Sequence, residues 1–355
     1  MNPFKKFTLF LFFGLLVTFL QANAENAEIT TPPAPNVAAT AYILQDFHTG
    51  KVLAENNADA RLAPASLTKI MTVYVVFREL SNGHLHLEDM ANISEKAWKT
   101  SGSRMFVELG NQVKIEDLLK GVIIQSGNDA SVALAEHVAG NEATFADMMN
   151  QHAARLGMTN SHFKNSDGLP MDDHYTSARN QLLSRDESVD GVKTGFTDDA
   201  GYCLVASALR EDMRLISVVL GAKSANARAN ENQSLLNYGF RFFESHRLYE
   251  GKKPLNEARI WKGAEKTIPL GLAEDLYATI PRRQYNDLKG VITVDKKITA
   301  PVKEGAKQGS VKVTLKDQVI NEKDLVALKT VEQGNIIQRL SDSVLMMMEK
   351  SEDGK

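Results

Sequence analysis

The 355 residues suffice for two domains with cores of their own. A formal charge of −3 with no long basic run excludes the electrostatic footprint of a nucleic-acid binder. One cysteine, Cys203, excludes an internal disulfide framework, so stability must come from packing.

The chain opens with "MNPFKK", a short basic stretch. An apolar run from Phe7 to Leu20 comes next, then Ala22-Asn23-Ala24. Basic, apolar and small-residue segments in that order predict a signal peptide over residues 1–24, removed on export. The run is short of the ~20 residues that span a bilayer; an uncleaved anchor is the alternative. The chain from Glu25 onward would carry a formal charge of −5, because the segment removed holds two lysines and no acids.

After a Pro/Ala-rich lead-in, "AYILQDFHTGKVLAENN" predicts two strands joined by a turn at His48-Thr49-Gly50. "RLAPASLTKIMTVYVVF" predicts a helix that is apolar on nearly all sides beyond Lys69, hence a buried one. "IEDLLKGVIIQSGNDASVALAEHVAG" reads as two helices separated by a break at Ser126-Gly127-Asn128. "AGYCLVASALREDMRLISVVLGA" reads as a strand, a turn at Glu211-Asp212 and a second strand. "QSLLNYGFRFFESHRLYE" closes this region, 25–252, as a helix with an apolar face. From Lys253 to residue 333 short β-branched segments alternate with Gly, Pro and charge, which predicts a small all-β domain, a spacer or docking module. In residues 334–355, Ile337, Leu340, Val344 and Met347 or Met348 recur at helical spacing. An amphipathic helix lying on a membrane surface is one reading; a last helix docked on its own domain is the other.

Ser66 and Lys69, three apart, share one helix face at the head of the apolar helix. A serine can cap a helix start and a lysine can snorkel, and a second Ser-x-x-Lys at Ser161–Lys164 shows how common the pattern is. Two further motifs come after it in order. Ser126-Gly127-Asn128 lies in the break between helices, and Lys193-Thr194-Gly195 leads towards the first strand of the hairpin. A serine hydroxyl needs an adjacent base to act as a nucleophile. A lysine buried beside other cations can be neutral enough to serve. His84 and His86 read as loop surface, with no further ligand to make a metal site.

With these three motifs the chain resembles the D-alanyl-D-alanine carboxypeptidases of the low-molecular-mass penicillin-binding protein family. "GVIIQSGNDASVALAEHVAG", "NSDGLP", "VDGVKTG" and "LLNYGFRFF" carry the same likeness, which extends through the β region and the terminal helix. The resemblance implies an α/β (α+β) penicillin-binding transpeptidase/β-lactamase-like domain, then the small all-β domain and the amphipathic helix. It implies no cofactor. It further implies that Ser66 attacks the penultimate D-alanine carbonyl of a peptidoglycan stem, with Lys69 as base and Ser126 passing a proton to the leaving amine. Asn128 would hold the substrate amide. Lys193 and Thr194 would bind the terminal carboxylate, with Lys193 helping to keep Lys69 neutral. Gly195 would admit the substrate backbone. The N–H groups of Ser66 and Phe196 would form an oxyanion hole, each such donor worth about 3 kcal/mol. β-Lactams would be acylating inhibitors, and the location would be periplasmic, on the outer face of the inner membrane.

Departures from the family pattern are also expected to matter. Gly127 in place of the aspartate of Ser-Asp-Asn is a variant associated with the carboxypeptidases themselves, whereas Phe196 stands where relatives often have histidine, which implies altered substrate preference at most. "SGSRMF", Ser101 to Phe106, is similar to a loop that lines the family's cleft. Between "HYTSAR" and "NQLLSRDESVDGVKTG" the chain lacks a few dozen residues that relatives carry, with the join at Arg179–Asn180. Arg179 itself would assist carboxylate binding. Two alternatives share the observations: a peptidoglycan endopeptidase using the same site, and a non-catalytic wall-binding scaffold suggested by the shortened lobe. The absence of a persuasive Glu-x-x-Leu-Asn stretch argues against a β-lactamase.

Overall fold

The computed structural model describes residues 31–169 and 181–352; the predicted signal peptide, Arg179 and the join beside it lie outside them. The chain builds its first hairpin from β1 (Ala41–Asp46) and β2 (Val52–Asn56), with Gly50 at φ +68° in the turn, where a side chain would be strained. A single 3-10 turn, Ala65–Leu67, leads into α1 (Thr68–Ser81). A helical lobe comes next. It comprises β3 (Met90–Asn92), α2 (Glu95–Lys99), β4 (Gln112–Lys114), α3 (Ile115–Gln125), α4 (Asn128–Ala139) and α5 (Glu142–Arg155). Three of these helices start or stop on recognisable signals. Ser94 and Asn141 accept the N–H three residues on at the heads of α2 and α5, and Gly140 ends α4 in the left-handed region.

The chain then returns to the sheet with β5 (Val189–Thr197), β6 (Gly201–Arg210) and β7 (Met213–Ala222), and covers it with α6 (Ala225–Phe242). The strands lie in the order β2-β1-β7-β6-β5, all antiparallel, so β5 is an edge. Two separate cores result. One fills the helical lobe around Val75, Leu118, Leu134 and Phe145; the other lies under the sheet around Leu44, Leu204, Leu215 and Leu235. A small third cluster, Ala65, Leu67, Ala200 and Cys203, plugs the 3-10 turn onto the sheet between them. That plug is the seam on which the site is built.

The second region contains β8 (Phe243–Tyr249), β9 (Pro254–Trp261), β10 (Thr267–Gly271), β11 (Leu276–Pro281), β12 (Leu288–Val294), β13 (Ile298–Thr299), β14 (Lys307–Leu315) and β15 (Gln318–Ala327). Six of them form a sheet in the order β12-β14-β15-β10-β9-β13, and β8 pairs with β11. β8 thereby belongs by hydrogen bonding to the β region, although it precedes the change of texture at Lys253. The first hairpin docks here: Lys51 Nζ donates to the Thr279 carbonyl at 3.0 Å, and His48 stacks on Tyr277 with ring centroids 4.0 Å apart.

Two helices differ from expectation. The one expected through "FRFFESHRLYE" ends at Phe242, and the chain continues as β8, because Phe243 and Ser245 are buried alternately and the backbone finds a partner in β11. α1 is buried along one face only: Met71, Thr72, Val75 and Val76 face the lobe, whereas Ile70 and Phe77 are 38% and 49% exposed. The last helix, α7 (Ile336–Glu352), is tied to the β region by the Lys262 N–H, which donates to the Asp342 carboxylate. Its apolar side is left bare, with Ile337 78% and Met347 75% exposed. No helix among the described residues is long and apolar enough to cross a membrane.

Where the described chain resumes at residue 181, it is pinned at once. Leu182 enters the sheet core, and Asp186 accepts from the Ser188 N–H and hydroxyl, from Gln233 and from Arg210. Burial alone would raise this carboxyl, but the four donors outweigh it and hold the pKa down to about 2. A depressed value means stability that is present above the unfolded pKa of about 4 and lost as pH falls towards 2. Asp186→Asn should therefore cost about 1–2 kcal/mol at pH 7, less than the shift alone implies because solvent partly screens these contacts. Urea unfolding should show the gap to wild type closing between pH 4 and 2.

Candidate active site

Ser66 sits in the 3-10 turn with 2% of its surface exposed, and Lys69 follows in the first turn of α1 at 1%. Helical spacing brings the two together: Lys69 Nζ donates to Ser66 Oγ at 3.0 Å. The same ammonium donates to Asn128 Oδ1 at 2.6 Å and to the Asp167 carbonyl at 2.8 Å. All three acceptors are uncharged. The Asp167 carboxylate is turned to its own chain, where it accepts the Leu169 N–H. Segment 165–169 is held in place by Ser166, whose N–H and hydroxyl bond Glu142, and by Thr72, which donates to the Ser166 carbonyl. Gly168 lets that segment lie flat on the serine's turn, for a Cβ there would fall 2.0 Å from the Ala65 carbonyl oxygen.

Ser126 is placed from the opposite side. It terminates α3 in the left-handed region at φ 58°, a conformation that costs a non-glycine residue on the order of 1 kcal/mol. Its hydroxyl accepts from Lys193 Nζ at 2.7 Å. Lys193 lies on the edge strand β5 and also donates to the Thr194 carbonyl. Thr194 is buried beside it, Gly195 pairs with Cys203 of β6, and Phe196 packs its ring on Tyr202 at 4.3 Å. Gly195 is where β5 touches the nucleophile's turn: a Cβ would lie 3.0 Å from the Pro64 oxygen and 3.3 Å from the Ser66 nitrogen. Ser66, Lys69 and Asn128 thus form one hydrogen-bonded group and Ser126 and Lys193 a second. The Lys69 charge acts on Lys193 between them, and Thr194, Gly195 and Phe196 continue along the same strand as Lys193. Arg179 lies outside the described residues.

Asn128 has a more internal part than expected. Its Nδ2 donates to the Ser101 carbonyl at 2.7 Å and its Oδ1 receives Lys69, so the buried side chain orients the amine. Arg228 was invisible to sequence reasoning. It projects from α6, is 1% exposed, and donates from Nη1 to the carbonyls of Gly195 and Cys203 at 3.0 and 3.3 Å. A long cation at a fully buried position is the signal, and burial is not readable from an Ala/Asn-rich helix. His84 and His86 pair with Glu79 and Asp89 on the surface, and no group of metal-ligating side chains occurs among the described residues.

Electrostatically the site is a pair of unusual amines. Burial pushes Lys69 down to about 8, with the Asp167 and Asp129 charges pulling the other way. Burial pushes Lys193 down to about 7, assisted by the positive charges of Lys69 and Arg228. Two amines this close shed protons as a pair rather than singly. A buried hydroxyl and two buried amines that titrate near neutral pH therefore lie close together.

Comparison with known proteins identifies relatives over both regions of the chain. A family model described as D-alanyl-D-alanine carboxypeptidase matches residues 27–183 and 178–224, and one described as Penicillin-binding protein 5, C-terminal domain, matches 243–333. The first match breaks into two pieces at the join noted in the sequence. D-alanyl-D-alanine carboxypeptidase DacC of Escherichia coli K12 is 41% identical, with 94% of each chain covered. The crystal structure of penicillin binding protein 5 from Haemophilus influenzae superposes with a TM-score of 0.75 at 35% identity, over 86% of this chain and 100% of that one. Penicillin-Binding Protein D2 from Listeria monocytogenes, in its ampicillin-bound form, gives a TM-score of 0.52 at 27% identity over 58% and 100%. The contact between β5 and the serine's turn yields a direct test of the geometry. Gly195→Ala should retain the wild-type circular dichroism yet slow covalent labelling of Ser66 by a fluorescent penicillin at least about tenfold, the equivalent of about 1.4 kcal/mol.

Proposed function

Because the chain belongs to the D-alanyl-D-alanine carboxypeptidase family, we propose that it removes the terminal D-alanine from peptidoglycan pentapeptide stems through an acyl-enzyme on Ser66. The observation that carries the reading is the buried 3.0 Å bond between Lys69 Nζ and Ser66 Oγ, with a second buried amine, Lys193, bonded to the Ser126 hydroxyl.

The terminal carboxylate of the stem seats against Lys193 and Thr194. A carboxylate there favours the ammonium form of Lys193, and the shared proton deficit of the pair then falls on Lys69. Neutral Lys69 accepts the Ser66 proton as Oγ attacks the penultimate D-alanine carbonyl. The N–H groups of Ser66 and Phe196 receive the developing oxyanion. Ser126, bonded to Lys193, hands a proton to the departing amine. Lys193, which donates to Ser126, restores that hydroxyl's proton. Water then displaces Ser66 from the acyl group; its released proton replaces the one Lys193 gave, and Ser66 recovers its own proton from Lys69. β-Lactams follow the same acylation path, which makes them inhibitors.

We further propose that the protein is exported and acts in the periplasm, attached to the outer face of the inner membrane. The basic, apolar and small-residue order of residues 1–24 supports export. The bare apolar side of α7 supports attachment through that helix.

Labelling of wild type by a fluorescent penicillin and its loss in Ser66→Ala is the decisive result; an unlabelled, folded wild type would favour the scaffold. Free D-alanine should appear from a pentapeptide stem, whereas opened cross-links without D-alanine would mark an endopeptidase. Acylation should accelerate as pH rises through about 7 to 8, because that is where the coupled pair of buried amines loses a proton; an ordinary lysine would require pH near 10.5. Removal of residues 334–355 should shift the protein from the membrane to the soluble fraction, and unchanged partitioning would count against the helix as anchor.

A further inference from the structure

Asp129 follows Asn128 on α4, is fully buried, and is used by none of the steps above. Its carboxylate gathers four backbone N–H groups. Oδ1 accepts from Met105 at 3.0 Å and from Ala130 at 2.9 Å; Oδ2 accepts from Phe106 at 2.8 Å and from Val107 at 3.2 Å. Three consecutive amides of one loop converging on one carboxylate form a charge-assisted clamp. The clamp secures an otherwise difficult stretch: Phe106 has φ +65° and its side chain is 76% exposed, so packing of that ring does not hold the loop. The preceding part of the same loop presents the carbonyls of Ser103 and Ser101, which receive the Asn128 N–H and Nδ2, both at 2.7 Å.

We propose that Asp129 is a positioning residue for the catalytic base: by clamping residues 105–107 it holds the Ser101 carbonyl on Asn128, and so keeps the Asn128 oxygen turned to Lys69. An Asn128 amide with its oxygen and nitrogen exchanged would face Lys69 with its NH2, donor against donor. Only the observed orientation lets Lys69 reach Ser66, Asn128 and Asp167 together. The clamp also accounts for glycine at 127. A Cβ there would sit 3.0 Å from Asp129 Oδ1 and 3.3 Å from the Met105 nitrogen, inside the clamp itself. The glycine of the second motif and the aspartate that follows it are one device.

Asp129 acts on the amine a second way. Lys69 is faced by Asp167 from the segment after α5, by Asp129 from α4, and by Lys193 from β5 with Arg228 behind it; Asp129 itself is faced by Arg104 of the clamped loop, Nε to Oδ2 3.8 Å. Both carboxylates favour its charged form. Neutralising Asp129 therefore makes the amine easier to deprotonate while freeing the group that aims it.

The inference rests on Ser66 and Lys69 acting as proposed, and the test separates the two. Asp129→Asn keeps the shape but places an NH2 against the loop amides. Its kcat/KM for D-alanine release from a Lys-D-Ala-D-Ala tripeptide should fall at least tenfold, and acylation by fluorescent penicillin should begin at lower pH than in wild type. Hydrogen exchange at Met105, Phe106 and Val107 should quicken at least tenfold. Gly127→Ala, which crowds the clamp without altering charge, should quicken the same exchange and slow acylation while leaving the pH of onset where it is. Exchange of these amides in wild type is the arm that needs no variant: rates of a free loop there would overturn the clamp, even if penicillin labelling upheld Ser66. Wild-type kcat/KM in Asp129→Asn would overturn it, and so would a loss of activity with pH onset and loop exchange unchanged.

Discussion

Everything in the catalytic half depends on an amine that is out of water yet touches no carboxylate. Lys69 is bound by a hydroxyl, an amide oxygen and a backbone carbonyl. Had the Asp167 side chain supplied the third contact, an ion pair would lock the ammonium form and leave the serine without a base. Instead Asp167 offers its peptide oxygen and turns its carboxylate to Leu169. Desolvation can then outweigh the two acids that remain nearby, and the amine titrates near physiological pH.

Holding such an amine dry requires contributions from remote stretches of chain. The seam between the helical core and the sheet core brings together the turn before α1, the break between α3 and α4, the segment after α5, and the edge strand β5. Small residues make the joints. Gly168 and Gly195 sit where one backbone lies directly on the turn of Ser66: a Cβ at 168 would overlap it outright, and one at 195 would push it aside by a few tenths of an ångström. Arg228 then ties the back of β5 to β6 through two carbonyls, and its charge helps keep the neighbouring Lys193 labile.

Much of this was legible because it is written in short-range patterns. Ser66 and Lys69 are a helix turn apart, Ser126 to Asn128 interrupt two apolar periodicities, and Lys193 to Gly195 precede an antiparallel hairpin rich in small and β-branched residues, although the strand β5 on which they lie was not expected. The hairpin and two-helix readings rested on the same local signals. The features that escaped were tertiary. A backbone carbonyl such as that of Asp167 leaves no trace in residue type. Arg228 looks like any surface arginine until its helix is laid on the sheet. "FESHRLY" continued an apolar helical pattern, and only pairing with β11 made it a strand. Ile70 and Phe77 satisfied a buried-helix pattern that the described structure covers on one side only.

α6 passes into β8 without an intervening residue, since Phe242 ends the helix and Phe243 begins the strand. The first hairpin braces the same junction through Lys51 and His48. Two globules joined by a slack tether would sample a spread of separations; these are welded, and the helix that makes the weld is the one that carries Arg228. Under the attachment proposed for α7, the elevation of the cleft above the surface would thus be a property of folded architecture rather than of cord length. A cleft so mounted would meet substrate within a narrow layer, like a tool on a fixed arm.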